Sequence, residues 1–209
     1  MQPHEFFDLF YQNILNASWL EAAAVFFGLF SVWFAKKENI LVYPTGIISV
    51  LIYVYICFFA GLYADMGINF FFFIMSVYGW FKWTRKDQAD NFIPISKNSV
   101  GQHLLSIAGA IAFFFVLQFV LKNYTDSTVP NWDSLTTAIF IIGMWLMALK
   151  KIENWIFWIV GNVISIPLYF HKGLVLTSFQ FTVFLVIAIL GYLEWRKKLN
   201  EQKEQYQKA

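Results

Sequence analysis

Charge is scarce in this chain. Asp, Glu, Lys and Arg make up 13% of its 209 residues, where a soluble domain carries about a quarter. A net charge of +2 gives no field for a polyanion, so nucleic acid is not an expected partner. Cysteine is reduced to Cys57, which excludes an intrachain disulfide. No His or Cys cluster has metal-ligand spacing and no nucleophile sits beside a base, so neither an enzyme, a metal nor a cofactor is expected. The opening residues lack the basic stretch of a cleaved signal peptide. The apolar runs also lack ionisable groups at depth: Glu21 and His103 fall near run ends and Asp65 in a turn. Ion-driven pumps keep such groups inside the membrane, so proton coupling is not expected. The same absence leaves no lysine for a retinal Schiff base.

What the chain has instead is apolar and aromatic surface, 59% and 21% of its residues. A membrane crossing needs about 20 mostly apolar residues. Seven runs qualify or nearly do: 17–35, 40–60, 66–83, 103–121, 135–149, 154–170 and 175–195, the fifth and sixth being short. Seven crossings place thirteen of the fifteen lysines and arginines on one side and only Lys122 and Lys172 on the other. The positive-inside rule then puts the C-terminus in the cytoplasm and the N-terminus outside. An all-α integral membrane protein in the lipid bilayer is the expected fold class.

A weak internal repeat joins the two ends of the chain. At a spacing of 115, Gly28 meets Gly143, Glu38 meets Glu153, Asn39 meets Asn154 and Gly46 meets Gly161. At a spacing of 112, Gly61 meets Gly173, Leu62 meets Leu174, Phe72 meets Phe184, Gly79 meets Gly191 and Trp83 meets Trp195. Three crossings reverse a chain, so a second unit in the same orientation needs one extra crossing, which 103–121 supplies. The expected organisation is an N-terminal extracytoplasmic segment (1–16), a first repeat (17–83), loops and a linker helix (84–133), a second repeat (134–195) and a cytoplasmic tail (196–209). Parallel repeats of this 3+1+3 kind are a transporter design, with the substrate held near midplane between the halves.

The sixth run, "NWIFWIVGNVISIP", carries polar and aromatic groups that a lipid-facing helix does not need. At 100° per residue, Trp155, Trp158, Asn162, Ser165 and Tyr169 fall within an arc of about 80°. Asn162 lies about 12 Å along the helix, near the bilayer middle, where an unpaired amide must face protein, water or ligand. Indole rings offer flat faces and an N–H donor, so the stripe suits a flat heteroaromatic ligand with a hydrogen-bonding rim. The plainer reading is that Trp155 belongs to an interfacial belt while Asn162 and Ser165 join helices. Asn69 and Gln180 sit early in the third and seventh runs and join the candidate binding set. Thr45 and Ser49 either line the same cavity or bond back to their own helix. Pro44 and Pro167 are expected to kink their helices.

Residues 43–83, beginning "YPTGIISVLIYVYICFFAGLYADMG", and 154–197, ending "KGLVLTSFQFTVFLVIAILGYLEWRK", resemble the two repeats of PnuC-type vitamin transporters. The resemblance implies a seven-helix 3+1+3 fold similar to the sugar-transporting SWEETs, a homotrimer, and a bacterial inner-membrane location. It implies facilitated diffusion of nicotinamide riboside, trapped inside the cell by phosphorylation. Trp155, Trp158 and Asn162 match the family's ligand-stacking and amide positions. Ile68–Asn69 stands where nicotinamide riboside carriers often have Leu-Gln, so thiamine is the alternative cargo. A non-transporting receptor or assembly subunit is the reading from another class, and it requires the tryptophan face to be packed shut.

Overall fold

The computed structural model describes residues 18–86 and 93–208. The N-terminal segment 1–16 expected outside the membrane lies beyond the described residues. Among them run seven α-helices and no strand: α1 (Trp19–Lys36), α2 (Val42–Phe59), α3 (Tyr63–Thr84), α4 (Val100–Tyr124), α5 (Pro130–Ala148), α6 (Asn154–His171) and α7 (Val175–Lys208).

Local chemistry sets the ends. Ser18 opens α1 with a capping box, its hydroxyl accepting from the Glu21 amide while Glu21 accepts from the Ser18 amide. Ser99 and Gln102 repeat the device at α4. Such reciprocal bonds satisfy two amides that have no partner within the helix. Pro44 falls in the first turn of α2, where its missing N–H costs nothing, so only Pro167 interrupts a helix interior. α7 continues past Trp195, where hydropathy ends, because "RKKLNEQKEQYQK" is built from strong helix formers.

Five helices (α1, α2, α3, α4 and α7) are long and apolar enough to cross a membrane by length and composition. α5 and α6 do not meet that measure, and both bury polar side chains: Ser134 and Thr136 on α5, and Asn154, Asn162 and Ser165 on α6. α1, α2 and α3 pack in sequence, as do α5, α6 and α7, while α4 packs on α5. The two trios meet through α1 with α7 and α3 with α5. The segment before α4 is pinned beneath the α5–α6 turn, where the Ser96 amide donates to the Lys150 carbonyl and the Ile152 amide to that of Ser96.

Several landmarks of the two trios lie 112 residues apart. α2 and α6 begin at Val42 and Asn154, and α3 and α7 at Tyr63 and Val175. Gly61 and Gly173 both have positive φ, 71° and 75°, and so do Glu38 and Lys150, 59° and 52°. At Glu38 and Lys150 the recurrence of a left-handed backbone is 112 residues, where the letters alone suggest 115. The matches at 115 paired letters whose backbone positions differ.

Small residues set the α1–α2 crossing. Ser49 donates to the Ala24 carbonyl at 2.8 Å and Ser31 to the Val42 carbonyl at 2.8 Å. Ser49→Ala is expected to lower stability by about 1 kcal/mol, the net worth of one buried hydrogen bond, as read by thermal unfolding in detergent.

Candidate functional site

A cavity of ≈ 450 Å³ lies between the trios, lined by all six of their helices and by no residue of α4. One wall is a ladder of rings. Trp158 of α6 stacks on Phe140 of α5 (centroids 5.3 Å, 28° between planes), and Phe140 stacks on Phe181 of α7 (5.9 Å, 9°). Phe181 in turn stacks on Tyr169 of α6 (5.0 Å, 20°). Offset stacking of this sort makes a flat, rigid face onto which another ring can be laid.

The opposite trio supplies room. The counterparts of Phe140 and Trp158, 112 residues earlier, are Gly28 and Gly46, and both line the cavity. Their packing partners are exchanged in size as well. A Cβ on Gly28 would come within 3.1 Å of the Ser49 hydroxyl and one on Gly46 within 2.9 Å of that of Ser31. In the second trio the corresponding glycines, Gly161 and Gly143, lie against Phe140 and Trp158 themselves. The stacked rings of the second trio thus face small residues of the first, which adds Tyr43, Tyr53 and Phe72 elsewhere in the lining.

Four residues of the tryptophan stripe (Trp155, Trp158, Asn162 and Tyr169) line the cavity, together with Asn69, Gln180 and Ser49. Asn162 is buried and makes no hydrogen bond to any described residue, so its amide is available to an occupant. Gln180 sits beside the Tyr53 hydroxyl, and the Asn69 amide nitrogen donates to the Asp65 carbonyl at 2.9 Å.

Two sequence candidates lie elsewhere. Thr45 is outside the lining and spends its hydroxyl on the Leu41 carbonyl at 2.6 Å, the nearest acceptor on its own helix. Ser165, at the edge of the predicted arc, is fully buried in packing and likewise outside the lining. Residues the sequence reading missed are Phe140, Phe181, Tyr53, Thr136, Thr177 and Asp65. The turn before α3 had marked Asp65 as peripheral, yet α3 starts at Tyr63 and carries it onto the cavity rim.

The end of the cavity nearest the lysine-rich loops is closed by rings. Tyr43 and Trp155 are 1% exposed and form its floor. Tyr43 meets Trp83 edge-on (5.2 Å, 89°), Trp155 meets Trp195 edge-on (5.6 Å, 89°), and Trp83 and Trp195 touch at 6.0 Å. Trp83 Nε1 donates to the Met147 carbonyl (3.2 Å) and Trp195 Nε1 to the Ala35 carbonyl (3.0 Å), each bond crossing to the other trio. Beneath them Glu38 accepts from Lys150 (2.9 Å) and Lys198 (3.0 Å), and Lys150 lies 4.6 Å over the Trp83 ring. At the other end exposed Asp65 lines the cavity, so the space reaches the surface there.

This geometry suits one flat polar molecule, and the chain's relatives fit that picture. The family model for nicotinamide mononucleotide transporters matches residues 18–197. The nicotinamide riboside transporter PnuC of Escherichia coli (strain K12) is 29% identical over 212 residues, covering 90% of this chain and 89% of that protein. The riboflavin/roseoflavin transporter RibM of Streptomyces davaonensis is 22% identical over 194 residues, covering 91% and 89%. A crystal structure of the vitamin B3 transporter PnuC superposes with a TM-score of 0.71 at 25% identity, covering 94% of this chain and 90% of that one. With its family model spanning nearly the whole helical bundle, the chain belongs to the nicotinamide mononucleotide transporter family.

Proposed function

We propose that the protein carries nicotinamide riboside across a bacterial inner membrane by facilitated diffusion. The observation that carries this reading is the cavity itself: a stacked aromatic wall, an unengaged buried amide at Asn162, and a volume in the few-hundred Å³ range of small-molecule sites. Trp158, Asn162, Tyr169, Asn69 and Gln180 are assigned to the ligand. Trp155 belongs to the floor. Sequence relatives named as nicotinamide riboside transporters support the choice of cargo.

The trios act as the two units of a 3+1+3, SWEET-like architecture with α4 as linker, a view supported by the spacing of 112 between the starts of α2 and α6 and of α3 and α7. The lysine-rich end, including the C-terminus, faces the cytoplasm. Phosphorylation of the product inside the cell then traps it, and the protein works as a homotrimer. A bundle packed shut along the tryptophan face, which a non-transporting subunit requires, is at odds with the cavity.

Purified protein in liposomes is expected to pass radiolabelled nicotinamide riboside down its gradient, unaffected by pH or sodium. Accumulation against the gradient under an imposed proton or sodium gradient would refute the uniport. Thiamine is the competing cargo, a flat cationic heteroaromatic that the same aromatic wall and the Asn69 amide could accept. Titration calorimetry with both vitamins separates them.

A further inference from the structure

We propose that Asp65 reads the charge of the ligand, selecting a cationic ring over an uncharged one of like shape. The proposal rests on the cavity being the nicotinamide riboside site. Among the described residues lining that cavity, Asp65 is the one acidic or basic side chain.

Its surroundings leave its charge unmatched. Asp133 and Lys172 lie within electrostatic reach of Asp65, but they are committed to each other. Lys172 Nζ is 2.6 Å from Asp133 Oδ1, and the Ser127 hydroxyl donates to Asp133 Oδ2 at 2.7 Å. Asp65 forms no ion pair with any described residue. The same end of the cavity holds Tyr169, whose ring stacks on Phe181. A carboxylate at the mouth of a cleft with low-dielectric ring walls has its field focused into the space between them.

The charge is also one-sided. The residue 112 positions after Asp65 is Thr177, which lines the cavity and is neutral. A cation that lays its ring on the second trio therefore has the carboxylate on the side of the first. A neutral ligand gains from the rings and amides alone.

Nicotinamide riboside and its reduced dihydro form provide the probes: ribose and carboxamide are shared, while the ring is cationic in the first and uncharged in the second. Calorimetric affinities for both would be measured on the full-length wild-type protein, Asp65→Asn and Asp65→Glu. Asp65→Asn is expected to weaken the cation about tenfold and leave the neutral form unchanged. Asp65→Glu restores most of the preference, and added salt shrinks it. If Asp65→Asn weakens both forms equally, or neither, the charge-reading role is overturned while the cavity assignment stands. If the wild type binds neither form, the cavity assignment fails and this proposal fails with it.

Discussion

Glu38→Gln is expected to destabilise the protein by about 3–5 kcal/mol, the usual cost of stranding one member of a buried ion pair. The Glu38 carboxylate holds Lys150 at 2.9 Å, and the Lys150 side chain is only 7% exposed. Without that anion, the buried ammonium keeps its desolvation cost and retains only a neutral amide oxygen and the Trp83 ring 4.6 Å away. The second cation gives the control. Lys198 also pairs with Glu38, but it is 30% exposed, so Lys198→Gln is expected to cost about 1 kcal/mol or less. Thermal unfolding in detergent separates the two, and equal losses would show that burial is not what makes the pair matter. Glu38→Lys combined with Lys150→Glu is expected to restore only part of the loss, because Lys198 then faces another lysine.

Trp158→Ala is expected to weaken nicotinamide riboside binding by about 1–3 kcal/mol, the range for losing one aromatic stacking partner from a base-like ring. Trp158 ends a ladder whose other rings remain braced by one another, from Phe140 at 5.3 Å through Phe181 to Tyr169. Trp158→Phe keeps a stacking face and is expected to recover most of the affinity. Calorimetry provides the readout. An unchanged dissociation constant in the alanine variant would take Trp158 out of the site. Trp155 offers the contrast, since it is packed edge-on against Trp195 and its loss is expected in the melting temperature rather than in affinity.

Membrane segments announce themselves by length and by the lysines that stop them, and for that reason the helix order was readable before any coordinates. The α6 stripe was readable because Asn162 has no reason to sit at midspan unless something polar meets it. Phe140 and Phe181 were not. Among 25 phenylalanines, hydropathy treats a ring facing lipid and a ring facing a cavity alike. Gly28 and Gly46 were hidden differently: each reads as a packing glycine until the 112 register sets it opposite Phe140 or Trp158. That register was legible from Gly61 and Gly173 onward and obscured upstream, where its mark is the left-handed backbones of Glu38 and Lys150, which share a conformation and no letter. Thr45 shows the limit of face-based reasoning. A hydroxyl aimed along a helix takes the carbonyl one turn back before it takes anything across a gap.

The crossed indole bonds carry a mechanical corollary. Trp83 grips the chain at Met147, and Trp195 grips it at Ala35, the same rung of the partner unit. If the units rock apart as rigid pieces about a line parallel to the one joining the two bonds, α3 parts from α5 as α7 parts from α1. Neither clasp can then slip while its twin stays fastened, so release at this end is a single paired event rather than two successive ones.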